Sequence, residues 1–167
     1  VVQGGLTRVI IPRIGERRAA VFGLAIAAVT YFGYGLATQG WMIYALIAVG
    51  ALGGFTLPAL QGIMSRTLPA NAQGELQGAV ASIMGLSMII GPYLMTQVFA
   101  AFLEPGVPFS LAGVTILPDG APFYFPGAPF VLASMLALVA LIPLINAFGK
   151  IRRPRAETPA EAPAAGE

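Results

Sequence analysis

The side chains able to do chemistry in this sequence are few, and their spacing narrows what they can do. Histidine and cysteine are absent. That removes thiolate nucleophiles, Cys/His zinc sites, haem ligation by His and Ser-His hydrolysis. Asp and Glu total seven, and none is paired as a catalytic acid and base would be. No enzyme, metal site or cofactor is therefore expected. What remains is charge set at particular places. In Arg13-Ile14-Gly15-Glu16-Arg17-Arg18, Gly15 permits a tight turn and the arginines face anionic headgroups, while Glu16 can pair with a neighbouring arginine or cap the next helix. The plainer reading of that stretch is a solvated basic loop. In Gln73-Gly74-Glu75-Leu76-Gln77-Gly78, Glu75 falls in a first helical turn, where the helix dipole favours it. Thr56, Gln61, Ser82, Ser87, Thr96 and Gln97 lie inside long apolar runs. Polar groups in hydrocarbon face the bundle or a wet cavity, so each is either an interhelical hydrogen bonder or part of a path.

The elements that must hold these groups are apolar. Of 167 residues 57% are apolar and only 10% charged, where a soluble domain carries roughly 25% charge. An integral membrane protein follows. A crossing takes about 20 apolar residues at 1.5 Å each. The uncharged run from Ala19 to Ser65 is too long for one crossing and breaks at Thr38-Gln39-Gly40-Trp41, a polar turn with an interfacial Trp. The spans are therefore 19–38, 41–64, 76–103 and 126–148, preceded by a partial helix over 1–11. Residues 1–148 form the bundle, and the Pro/Ala/Glu-rich tail 149–167 is expected to be disordered. The start at Val1-Val2-Gln3, with a first apolar run already interrupted by Arg8, is read as the end of a helix in a fragment.

The pI near 9.3 suggests a nucleic-acid partner only until the charges are placed. Arg8, Arg13, Arg17, Arg18, Arg66, Lys150, Arg152, Arg153 and Arg155 fall in three clusters, all on the odd-numbered connections between spans. By the positive-inside rule those connections and the C-terminus are cytoplasmic, in the bacterial inner membrane, and the bilayer rather than nucleic acid is the partner. The even connection from Glu104 to Phe125 carries Glu104 and Asp119 but no Lys or Arg. Within it Ser110–Leu117 reads as an ordered loop in preference to a short hairpin arm. Phe123-Tyr124-Phe125 stands where an interfacial aromatic belt would. Gly50 and Gly54, like Gly23 and Ala27, are spaced for close helix approach. Pro58 and Pro92 each remove a backbone hydrogen bond inside a span and are expected to kink it.

Three stretches go beyond a generic membrane helix: Gln3-Gly4-Gly5-Leu6 with RIGERR at 13–18; Leu57-Pro58-Ala59-Leu60-Gln61 with Ser65-Arg66 and QGELQG at 73–78; and Gly85 with Gly91-Pro92. Together, with Tyr124-Phe125-Pro126-Gly127-Ala128-Pro129-Phe130, they resemble the C-terminal half of a major facilitator superfamily transporter, in the drug:proton antiporter branch that includes the tetracycline efflux pumps. The resemblance implies an all-α membrane fold in which 1–148 supplies the end of helix 8 and helices 9 to 12. It implies efflux by proton antiport with alternating access, a partner in an N-terminal six-helix half, and a small-molecule substrate with protons as cargo. It makes Arg13, Gly15, Glu16, Arg17, Arg66 and Glu75 a cytoplasmic gate, with Glu75 meeting a basic residue such as Arg66. It makes Gln3, Thr56, Gln61 and Gln97 substrate-path candidates, and Gly54, Pro58, Gly85, Gly91 and Pro92 points of packing or bending. Ser82, Gly85, Pro92 and Thr96 share roughly one helix face. One departure stands out: the intramembrane Asp of the tetracycline pumps falls at Ala27, and no span holds a carboxylate. Proton coupling then rests on the other half. The alternatives are a major facilitator transporter of a sugar or metabolite, and a membrane scaffold without transport.

Overall fold

A computed structural model describes residues 13–104 and 106–150. The partial helix expected over 1–11, Gln3, and the tail beyond Lys150 lie outside the described residues. Four helical stretches are long and apolar enough to cross a membrane: Glu16–Leu36, Gly40–Thr67, Ala70–Leu103 and Ala128–Gly149. The all-α membrane class read from composition is thereby shown.

The first span is helix α1, Glu16–Leu36. It starts after Gly15, whose φ of 87° ends the preceding backbone in a conformation that glycine adopts without strain. Glu16 in its first turn complements the helix dipole. The second span differs from the single helix expected over 41–64. It is two helices, α2 Gly40–Ala51 and α3 Thr56–Thr67, separated at Leu52–Phe55. There the backbone shifts to hydrogen bonds three residues apart, Gly53 N to Gly50 O at 2.9 Å and Thr56 N to Gly53 O at 3.3 Å. Pro58 is not the cause of the break. It is the third residue of α3, where a missing N–H leaves no intrahelical bond unmade.

A 3-10 turn, Ala70–Ala72, leads into α4, Gln73–Leu103. This helix runs unbroken through Pro92. The chain then forms an antiparallel hairpin, β1 Phe109–Leu111 and β2 Val114–Leu117. The sequence reading preferred a loop here. The strands form because Ala112 and Gly113 both take positive φ, 51° and 83°, in a two-residue turn whose twist suits a hairpin. Ser110 and Thr115 face each other across it, their hydroxyls 3.3 Å apart. The last span is α5, Ala128–Lys150.

Helix α1 is the hub. It packs most extensively on α5, then on α3 and α2. The buried cluster is made of small residues, Ala19, Ala20 and Ala59, with Phe55, and Leu60, Leu144 and Phe148 close around it. Lipid is as apolar as leucine, so small side chains that let backbones approach hold such helices better than bulk does. Gly23 and Gly53 show this most clearly. A Cβ on Gly23 would overlap the Thr56 hydroxyl and lie 2.8 Å from Gly53 O, and one on Gly53 would lie 2.9 Å from Gly23 O. The sequence had paired Gly50 with Gly54. The structure puts Gly53 at the crossing, and Gly50 instead lies against Thr30. At the other end, Gly127 is packed so closely on Gly35 that a Cβ there would be 2.8 Å from the Gly35 carbonyl carbon. Ser134 locks α5 to α1 with a buried bond to Ala28 O at 2.8 Å.

Helix α4 stands apart. Every residue from Ala81 to Ile90 is exposed, and its contacts with the rest of the chain gather near its two ends. A Cβ at Gly74, Gly78, Gly85 or Gly91 would meet nothing within 4 Å. The packing role expected of Gly85 and Gly91 is thus not exercised against the other described helices.

Candidate functional site

The charged residues singled out in the sequence converge at one end of α1 and α3. Glu16 opens α1 and Arg66 sits in the last turn of α3. They form an ion pair of 3.1 Å. Glu16 Oε1 also lies 3.1 Å from where a Cβ on Gly62 would be. Gly62 and Arg66 are one turn apart, so α3 offers the carboxylate a gap and then a guanidinium. The Glu16 side chain is 20% exposed, whereas that of Arg66 is 78% exposed. The pair joins one half-buried end to one solvated end.

The partner of Arg66 is therefore Glu16 and not Glu75. Glu75 does open its helix as expected, in the first turn of α4, but it is exposed and makes no ion pair among the described residues. The connection between α3 and α4 is instead held by Gln73, whose side-chain amide donates to Ser65 O at 2.6 Å and Leu68 O at 3.1 Å. These bonds satisfy carbonyls that the end of α3 leaves free. Sequence reasoning passed over Gly62 and, though it named Gln73 in the QGELQG motif, gave it no role of its own. The i,i+4 spacing of Gly62 and Arg66 was the available signal.

Around the pair lies an open groove of about 440 Å³, lined by Ile14, Gly15, Glu16, Arg17, Arg18, Ile63, Arg66 and Thr67. Most of the proposed gate residues meet there. Arg13 is exposed outside its lining.

The neutral polar candidates are scattered. Thr56 is half-buried, its hydroxyl donating to Gly53 O at 3.1 Å beside Gly23. Gln61 is exposed and Gln97 half-buried. Ser82, Ser87 and Thr96 donate to carbonyls of their own helix, at 2.8 Å to Gly78, Ile83 and Pro92. No contact brings Thr56, Gln61 and Gln97 together among the described residues. Ala27, in the middle of α1, is half-buried and leaves that place without a charge.

The opposite end of the bundle is aromatic. Ala121 N donates to Ala101 O at 3.0 Å and Phe125 N to Phe102 O at 2.9 Å, which stitches the long connection to the end of α4. Phe123 then meets Phe102 edge-on, ring centres 5.5 Å apart. With Phe109, Phe125 and Met135 they line an apolar pocket of about 400 Å³. The sequence marked Phe123–Phe125 as a belt, but only the fold shows that the chain bends them over a pocket.

Four apolar helical spans with a charged edge and an aromatic edge define the class: a multi-pass α-helical membrane protein. Comparison with known proteins narrows it. The chain is 38% identical to the class G tetracycline resistance protein of Vibrio anguillarum, over 60% of this chain and 26% of that protein. It is 39% identical to the class C tetracycline resistance protein of Escherichia coli, over 53% of this chain and 22% of that one. It is also 29% identical to the mouse hippocampus abundant transcript 1 protein, over 77% of this chain and 28% of that protein. The chain thus resembles a segment of the tetracycline resistance proteins, four classes of which match it at 36–39% identity. It spans about a quarter of the length of the curated relatives it matches. No family model matches the chain, and no solved structure gives a significant match.

Proposed function

We propose that this chain forms helices of the second half of a drug-efflux transporter that works by proton antiport and alternating access. The observation that carries the reading is its 36–39% identity to tetracycline resistance proteins of four classes. The geometry supports it in two ways. An ion pair at one membrane edge joins α1 to α3, as a latch must that closes one access state. A span interrupted by a short stretch of 3-10 bonding at Leu52–Phe55 supplies a place where α2 and α3 can bend against each other. In this reading the edge with Arg17, Arg18 and Arg66 is cytoplasmic, and the protein lies in the inner membrane of a bacterium. With Ala27 in the middle of α1, the carboxylate that carries the proton belongs to the other half of the transporter. Rocking needs that second half as a partner.

The test is drug accumulation in a susceptible bacterium expressing the full transporter that contains this segment. The expected result is lower accumulation of tetracycline or a comparably hydrophobic drug, restored to the control level by a protonophore. Accumulation unchanged across such a drug panel overturns the efflux reading. Lowered accumulation that survives the protonophore overturns proton coupling alone.

A further inference from the structure

A second groove lies between the first turns of α1 and the last turns of α5, about 340 Å³ in volume and lined by Arg17, Arg18, Val21, Phe22, Ile145 and Phe148. Its lining is ordered along the helices. Val21 and Phe22 follow Arg17 and Arg18 by four residues, one turn, so each guanidinium stands above an apolar side chain on the same face. Opposite them Ile145 and Phe148 are three apart on α5 and share a face. Phe148 packs on the buried Ala19–Ala20 cluster, which fixes the floor. Phe22 and Ile145 remain 58% and 53% exposed, on helices long enough to cross a membrane. Neither arginine has an ion pair among the described residues, because the adjacent carboxylate, Glu16, is taken by Arg66.

We propose that this groove binds an anionic phospholipid of the leaflet at the basic edge. The phosphate meets Arg17 and Arg18, and one acyl chain lies along Phe22 and Ile145. Charge complementarity selects this occupant. Two guanidiniums at the mouth of an apolar groove call for an anion that carries its own apolar tail. A zwitterionic lipid brings a positive group to the same mouth, and a free phosphate leaves the apolar walls uncovered. The lipid bridges α1 and α5 and so stabilises the pair that forms the hub of the bundle. The site rests on the membrane placement and not on the transport reading, so its test uses no transport assay.

The experiment is native mass spectrometry of the detergent-purified full-length protein that contains this segment, titrated with phosphatidylglycerol, phosphatidylcholine or glycerol 3-phosphate. Wild type is expected to retain phosphatidylglycerol in preference to the other two and to melt at a higher temperature with it. R17Q/R18Q is expected to lower phosphatidylglycerol occupancy about tenfold or more. R13Q removes a charge outside the groove's lining without freeing Glu16 and is expected to leave occupancy within about twofold of wild type. F22A, at an exposed position, is expected to weaken the lipid and leave glycerol 3-phosphate unaffected. It decides the matter if R17Q/R18Q fails to fold. Equal retention of phosphatidylglycerol and phosphatidylcholine overturns the proposal. So does a loss in R13Q equal to that in R17Q/R18Q, which marks a general charge attraction. So does displacement of the lipid by glycerol 3-phosphate at equal concentration, which marks a free-anion site, and so does unchanged lipid binding in F22A.

Discussion

At the scale of single residues, the groups that matter are those whose neighbours come from distant parts of the chain. Glu16 meets Arg66 across a gap that Gly62 leaves open. Because Arg66 is largely solvated, the pair is worth little to stability, on the order of 1 kcal/mol or less. In the proposed transporter its value lies in which access state it favours. E16R and R66E are each expected to cut drug efflux severely in the full transporter with little change in melting temperature, and E16R/R66E to recover part of it. E75Q is expected to leave efflux closer to wild type, because Glu75 has no ion pair among the described residues. A swap that rescues nothing argues against the latch. Thr30 makes a separate case. Its hydroxyl is buried, 3% exposed, and unbonded beside Gly50. Burying an unpaired hydroxyl is unfavourable, so Thr30→Val is expected to keep or raise stability, by up to about 1 kcal/mol in thermal or denaturant unfolding.

At the scale of elements, the fold depends on close backbone approach rather than on large buried side chains. Gly23→Ala is expected to force α1 from α3, since the added Cβ meets the Gly53 carbonyl, a backbone atom that cannot rotate away. A loss of about 1–3 kcal/mol follows from overpacking of this kind. Gly85→Ala is the matched control and is expected to be neutral, as nothing lies within 4 Å of the new atom. Parallel melting curves of the two variants check both statements, and equal losses would contradict the packing account. The same crossing explains why the span from Gly40 to Thr67 is divided. Gly53 serves both as a contact with Gly23 and as a point where the bonding pattern shortens. Proline was the sequence signal for bending, yet Pro58 stands in the first turn of α3, where it is harmless.

At the scale of the whole molecule, charge and aromatic residues mark opposite ends of the bundle. The chain lacks cysteine, so single cysteines report sidedness cleanly. Cysteine at Asn71 is expected to react with a membrane-impermeant maleimide only from the cytoplasmic side, and cysteine at Ala112 only from the outside. The same side for both would contradict four crossings. Helix α4 shows where the molecule is open, with Met88 71% and Ile89 74% exposed and every residue from Ala81 to Ile90 exposed. Lipid or another bundle must cover it. Expressed alone, this chain is expected to aggregate in mild detergent, which size-exclusion chromatography reads directly.

The sequence by itself determined the membrane class, four stretches long and apolar enough to cross, the single charged edge and the likeness to the tetracycline resistance proteins. Those features are local or compositional. A crossing demands about 20 apolar residues in a row, and basic residues gather on one side, whatever the helices do later. Tertiary structure alone decided which carboxylate holds Arg66, which glycines touch and how α5 is tied to α1. It also decided that the long connection folds into a hairpin beneath an aromatic pocket. Ser134 reaches Ala28 across 106 residues of chain, and Glu16, at the start of the first span, meets Arg66, at the end of the second. Helical periodicity says which face a residue occupies, but not which neighbour that face will meet. The pairing of faces is set by fitting backbones together, and in this protein the fit is made at glycines.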